Sequence, residues 1–478
     1  VRYVYLPVVS ARNVSSAPSY NFFKAFRHHA LQADPNAVFY VLIPEEDSDD
    51  NRWLSGSAWA GPNTVLLPTQ MHYFQYDDLA LITNDFWHRF NERHGDTYFD
   101  VIISERPILA PTIRKLCTFH LDGKSRRPLL INRDQFVITK AEKVHFSVEL
   151  AEVFGWVTAP TMYQSPHQLE RALEVARRTV KPNYVQELIE QAKVFPLGID
   201  CDDVDEQNMT ERDDKYDEIT INYSHKLFSE QKFIQSLDIM DSTFAGGRPV
   251  QLQIVTGSSE VKMQTFKEAL PYQYIKTFGR MNRSQFLRQM ARAHIFISNS
   301  VYEDFSATVV EQMYTGLIPI LLRAPWSEYL VPEGYPYLFS SMAEGQGMMR
   351  YVVDNYDEVY AEWMPKIQEK IRAEFDLKTV VPEIVEWIQG LHDERISTLP
   401  GFTAGTQVLL EQVYQDLPDE FDLEDFYDTV KKFAKSLDLR KQHLESRATS
   451  PWLFVDLLRR LHPELSDTGA VPVRFKKG

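Results

Sequence analysis

Two glutamates, Glu303 and Glu311, are separated by seven residues within ARAHIFISNSVYEDFSATVVEQMYTGLIPILL, Ala291 to Leu322. HIFIS reads as a strand, NSVYED as its polar exit loop, and the stretch from Ser306 as a helix carrying Glu311. One carboxylate then sits at a strand-to-helix turn and the other on the helix behind it. Both face the carboxyl edge of a sheet, where open α/β folds bind ligands. At the start of that helix the N–H groups of Phe305, Ser306, Ala307 and Thr308 have no intrahelical acceptor, so they offer partial positive charge to a diphosphate. Gly316 closes the helix before the next strand. The plain alternative is an ordinary βα unit with two solvated glutamates. Asp200, Asp202, Asp203 and Asp205 form a second acidic group that could be taken for a manganese-binding D-x-D. On a linker a solvated loop is the better reading, and no metal site is expected.

Such a site needs a large α/β scaffold, and 478 residues exceed what one hydrophobic core supports, so two or three domains are expected. Hydrophobic residues at 44% and charged residues at 25% fit a folded globular enzyme rather than a disordered chain. No stretch approaches the ~20 apolar residues of a membrane helix, and VRYVYLPVVSARN lacks a signal-peptide core. Cys117 and Cys201 are the only cysteines, too few for a disulfide framework. The expected location is therefore cytoplasmic, the host cytoplasm for a viral protein. A net charge of -16 disfavours polyanion binding by the whole surface but permits a local basic patch.

Apolar runs at Arg2–Val9, Ala37–Pro44 (AVFYVLIP), Phe99–Ser104 (FDVIIS), Leu129–Asn132 (LLIN) and Lys143–Ser147 (KVHFS) alternate with helix-compatible stretches. This pattern predicts a parallel sheet with crossover helices. The amphipathic stretch from Gln168 to Ala192 follows. After the charged segment Asp202–Glu218, read as a solvated linker or loop, a second series runs through EITINY (218–223), VQLQIVT (250–256), YIKTF (274–278), AHIFIS (293–298) and IPILL (318–322). Asp357–Leu391 reads as helical with a break near Pro382. The expected organisation is an N-terminal Rossmann-like acceptor domain at 1–190, a second Rossmann-like donor domain at 191–395 and a basic helical extension at 400–478.

The Glu303–Glu311 segment resembles the E-x7-E region of retaining transferases of the glycosyltransferase-4-like superfamily, which have the GT-B fold of two Rossmann-like domains across a cleft. Ser300, Glu303, Phe305, Glu311, Gly316 and Pro319 match the family pattern, while Ser306 replaces its usual glycine and Gln312 its alanine. The resemblance implies that Glu303 hydrogen-bonds the donor sugar and Glu311 the nucleotide ribose. KVFPLGID (193–200) is similar to the V-x-P-x-G-I-D that opens the second domain. TINYSHKLFSEQKF (220–233) resembles the strand and loop whose cations neutralise the leaving diphosphate, with Lys226 in place of arginine, Lys232 matching lysine and His225 as a competitor for the first role. By the same resemblance Gly257 ends a donor-site strand, and Gly279 and Met281 flank the nucleobase. The implied donor is a nucleotide sugar such as UDP-glucose, with no metal or other cofactor required.

The resemblance is close from about 190 to 330 and only an outline before that. In INRDQF (131–136), Arg133 stands where relatives often carry histidine and Asp134 remains, as an acceptor-side or sugar-side residue or as a turn residue. From Phe426 to Gly478 eleven Lys or Arg face six acids, a local balance of +5. LEDFYDTVKKFAKSL and TSPWLFVDLLRRL read as helices, the second capped by Thr449 or Ser450 with Pro451 in its first turn. With VPVRFKK as a strand, the segment resembles a small winged-helix nucleic-acid module. An extension that only stabilises the enzyme or mediates oligomerisation is the rival reading. Contact with DNA would make the chain similar to bacteriophage DNA glucosyltransferases, which act on 5-hydroxymethylated pyrimidines in double-stranded DNA. The alternatives are a glycan, lipid or small-molecule acceptor, or a GT-B fold retained as an inactive binding subunit.

Overall fold

Runs of β-branched and aromatic residues buried on both faces are what a parallel sheet covered by helices requires. The computed structural model describes residues 1–7, 18–44, 59–69, 99–111, 113–114, 128–134, 146–208, 214–223, 235–236, 238–240, 250–255, 275–278, 283–301, 303–397, 411–422, 425–426, 428–429, 432, 458, 462, 465–467 and 474–477. The first unit contains β1 (Arg2–Leu6), α1 (Pro18–Ala33), β2 (Val38–Pro44), β3 (Thr64–Thr69), β4 (Val101–Ser104), β5 (Leu129–Arg133), α2 (Phe146–Thr158), β6 (Thr161–Tyr163), α3 (Pro166–Thr179), α4 (Pro182–Gln191) and β7 (Ala192–Val194). All its strand pairs are parallel, in the order β3-β2-β1-β4-β5-β6-β7. Alternation along β1 sends Tyr3 and Tyr5 into an aromatic layer with Phe22, Phe23 and Phe26 of α1, and Val4 and Leu6 to the opposite face with Ile102 and Ile108. KVHFS is not wholly a strand, since Phe146 and Ser147 begin α2.

The second unit repeats the winding with α5 (Cys201–Asn208), β8 (Ile219–Tyr223), β9 (Val250–Val255), β10 (Ile275–Phe278), α6 (Arg283–Ala291), β11 (Ile295–Ser298), α7 (Ala307–Tyr314), β12 (Ile318–Leu322), α8 (Pro325–Leu330), β13 (Leu338–Phe339), α9 (Met342–Asp354), α10 (Tyr356–Glu374) and α11 (Leu377–Ser397). Its parallel sheet has the order β10-β9-β8-β11-β12-β13. In both units the winding reverses beside the first strand, between β1 and β4 and between β8 and β11. Those reversals are the topological switch points at which doubly wound sheets bind ligands.

Two chain segments join the units, and they pair with each other. Ile199 donates its N–H to the Phe375 carbonyl at 2.8 Å, and Leu377 donates to the Ile199 carbonyl at 2.9 Å. Gly198 adopts φ +73°, and a Cβ there would lie 2.8 Å from Leu377 Cδ2, so both backbone angle and space select glycine. The α10–α11 break falls at Phe375–Asp376, upstream of the expected Pro382. Pro382 lies inside α11, which lays Leu377, Val380, Val381, Ile384, Val385 and Ile388 into the core of the first unit. That burial outweighs the hydrogen bond proline removes. The acidic segment after Asp200 is likewise not all loop, because Cys201–Asn208 is helical.

In the C-terminal segment, β14 (Glu420–Asp422), β15 (Ser466–Asp467) and β16 (Arg474–Lys476) form an antiparallel sheet in the order β14-β16-β15. Phe421 and Phe475 are buried and in ring contact at 5.5 Å. The strand read in VPVRFKK is therefore present. No helix among the described residues is long and apolar enough to cross a membrane.

Candidate active site at the second switch point

The loop after β11 is held by groups buried on either side of Glu303. Trp326 Nε1 donates to the Ser300 carbonyl at 3.1 Å, and Ser300 Oγ donates to Glu303 Oε1 at 3.0 Å. Phe305 is buried and meets the Phe375 ring edge-on at 5.4 Å, which fixes the loop to the inter-unit crossover. Between them Asp304 turns toward the first unit and accepts a hydrogen bond from Arg171 Nη1 of α3 at 2.6 Å. A contact between the two units thus sits one residue from Glu303.

Ser306 has extended backbone angles, φ -106° and ψ 96°, and starts α7 without a side-chain cap. Ala307 and Thr308 form the first turn. Gln312, where the family has alanine, belongs to a buried amide chain. It accepts from Asn222 Nδ2 at 2.6 Å, Asn222 accepts from Gln253 at 3.2 Å, and Gln253 accepts from Gln289 at 2.8 Å. This departure has a packing cause, since a buried amide needs partners and finds them on β8 and β9. Gly316 has φ +101° and follows the helix end, as its expected role requires.

Glu311 is also buried, and Arg283 Nη1 at the start of α6 donates to its Oε1 at 2.5 Å. Arg283 Nε donates to Asp203 Oδ2 at 3.1 Å. Burial works against the guanidinium charge, but Glu311 and then Asp203 outweigh it and hold the Arg283 pKa above its ordinary value. The other aspartates of α5 have separate partners: Asp202 pairs with Lys378, and Asp205 with Arg372 and Tyr314. Asp200 accepts from the Asp203 N–H at 3.0 Å. Their carboxylates pin α5 to α6, α7, α10 and α11. Among the described residues no three His, Cys, Asp or Glu side chains group as metal ligands do.

His225, Lys226, Lys232, Gly257, Gly279 and Met281 lie outside the described residues. The paired strands do fix where their segments begin. β8 and β11 run parallel with Ile295 opposite Ile221, so their carboxyl ends, at Tyr223 and Ser298, lie side by side. In the first unit the Asp134 carboxylate turns inward and accepts from Trp156 Nε1 at 2.9 Å, while its carbonyl accepts from Gln164 at 2.9 Å and Gln168 at 3.2 Å. Arg133 instead ion-pairs with buried Glu105 and stacks over Phe22 at 3.9 Å. Tyr5 donates to the same Glu105 at 2.6 Å, and burial followed by that carboxylate pushes the phenol pKa well up. The partners Arg171 and Arg283 escaped the sequence reading, for nothing local marks an arginine whose acid is far along the chain.

No protein-family profile and no curated protein sequence matches the chain. Solved structures do. The sucrose-phosphate synthase of Thermosynechococcus elongatus superposes with a TM-score of 0.61 over 82% of this chain and 99% of its own, at 14% identity. HepE from Anabaena in complex with UDP-glucose gives 0.56 over 81% and 99%, also at 14% identity. A glycosyltransferase from Rickettsia africae gives 0.59 over 83% and 99%, at 10% identity. With two doubly wound parallel sheets and a helix returning to the first unit, the chain has the GT-B fold.

Proposed function

We propose that the chain transfers a sugar, with retention, from a nucleoside-diphosphate sugar of the UDP-glucose type to the hydroxyl of a 5-hydroxymethylated pyrimidine in DNA. The observation that carries the donor half is the position of Glu303 and Glu311, on the loop and helix that leave the second switch point of a GT-B fold. Glu303 binds the sugar, Glu311 the ribose, and the Lys226–Lys232 loop with the α7 start binds the diphosphate. That HepE was solved with UDP-glucose supports the donor class.

The acceptor half rests on residues 426–478, whose charge of +5 lies in a chain of -16. Within them residues 426, 428–429 and 458 are helical and the antiparallel ribbon ends in basic β16, which suits a helix-and-wing DNA module. A modified base inside a duplex is out of reach of a cleft, so flipping and phosphate contacts would be needed. Labelled sugar should therefore pass to DNA containing 5-hydroxymethylated pyrimidine. Binding to that DNA should weaken steeply with salt. Deleting residues 426–478 should reduce transfer more than donor hydrolysis, and retained hydrolysis shows that the truncated protein is folded. If an oligosaccharide or lipid is labelled while the DNA is not, the DNA reading is wrong.

A further inference from the structure

Each N–H of a buried guanidinium needs an acceptor, because water can no longer supply one. Two groups on Arg283 are satisfied, Nε by Asp203 and Nη1 by Glu311. The third, Nη2, is buried and has no hydrogen-bond partner among the described residues. A folded protein seldom leaves such a donor unpaired, and the exceptions call for an explanation. This one lies on the same guanidinium plane as the bond to Glu311. Arg283 follows β10 and Glu311 is on α7 behind the β11 loop, so both belong to the carboxyl edge of the second sheet.

The chemistry of the missing partner follows from its neighbours. Two carboxylates and one guanidinium leave the triad with a formal charge of -1, which repels a phosphate or carboxylate. An ammonium group would suit Glu311 but cannot accept from Nη2. A hydroxyl meets both demands, since its oxygen accepts from Arg283 while its hydrogen is donated to Glu311.

We propose that Arg283 is a specificity-determining residue whose free Nη2 donates to a ribose hydroxyl of the donor nucleotide, so that the site selects ribonucleotides over their 2′-deoxy or 3′-deoxy counterparts. The proposal rests on the donor-site reading above and adds to it a residue, a bond and a selectivity. Arg283 also holds Glu311 by its Oε1, and Oε2 is the oxygen that would accept from the ribose.

Calorimetry on the full chain with UDP, ADP and GDP identifies the tightest nucleotide, and its 2′-deoxy and 3′-deoxy forms are then compared with it. The wild type should bind one deoxy form at least about tenfold more weakly, the scale of losing a hydroxyl that a charged site hydrogen-bonds. Arg283→Lys keeps a cation beside Glu311 but removes the forked second donor. It should unfold cooperatively at a somewhat lower melting temperature, since one of the two ion pairs is lost, and bind the ribonucleotide more weakly, with the deoxy penalty reduced several-fold. An unchanged penalty in Arg283→Lys would overturn the assignment. So would a wild type that binds ribo and deoxy forms equally, although the donor site would then stand. A wild type that binds none of the three nucleotides would overturn the donor reading and this inference together.

Discussion

Arg171→Ala is expected to destabilise the folded chain by about 3 kcal/mol, in the range for removing one partner of a buried ion pair. Asp304 is only 2% exposed and would keep its charge in a poorly solvated position. The lower end of the range applies because each side chain makes a further interaction. Urea unfolding of Arg171→Ala and of the double variant Arg171→Ala, Asp304→Asn measures the effect. The double variant should recover most of the loss, since the amide carries no charge that needs a partner. An unchanged midpoint in the single variant would mean that the pair is open to solvent and does not tie α3 to the Glu303 loop.

Lys232→Ala is expected to lower transfer about 100-fold, the scale for losing one well-placed charged donor to a developing negative charge. On the proposed reading the leaving diphosphate needs cations, and the α7 start, where Ser306 makes no side-chain cap hydrogen bond, and Lys232 would act on the same group. β8, which precedes Lys232 in the chain, pairs with β11, which precedes the Glu303 loop. Lys232→Arg should keep much of the rate, and the comparison of kcat with KM shows whether the charge acts on the departing group or on donor binding. Full turnover in Lys232→Ala would place the phosphate elsewhere.

The parts legible in the sequence are those encoded over short distances. The strand, loop and helix around Glu303 and Glu311 were readable because burial, a polar exit loop and Gly316 lie in one run of residues. Five of the six strands of the second sheet, β8 to β12, were readable as well, each being a short apolar block. Very short strands such as β6 and β13 were not, nor was β3, whose TVLLPT contains a proline tolerated at a sheet edge.

Long-range partners were opaque for a different reason. Arg171 and Asp304 are 133 residues apart, and only the folded arrangement of α3 against the β11 loop brings them together. The acids of α5 looked like a solvated run, because the sequence does not show that Arg283, Arg372 and Lys378 converge on them. Pro382 pointed to a helix break for a sound local reason. Burial of one face of α11 in the first unit overrode it.

On the proposed reading the second switch point binds and activates a nucleotide sugar without a metal. That reading is tested most directly by measuring nucleoside diphosphate release from UDP-glucose and other nucleotide sugars in EDTA, by wild type, Glu303→Gln and Glu311→Gln. Release by the wild type should survive EDTA, Glu303→Gln should lose nearly all of it, and Glu311→Gln should show a raised donor KM. Strict dependence on manganese, or full activity in both variants, would contradict it.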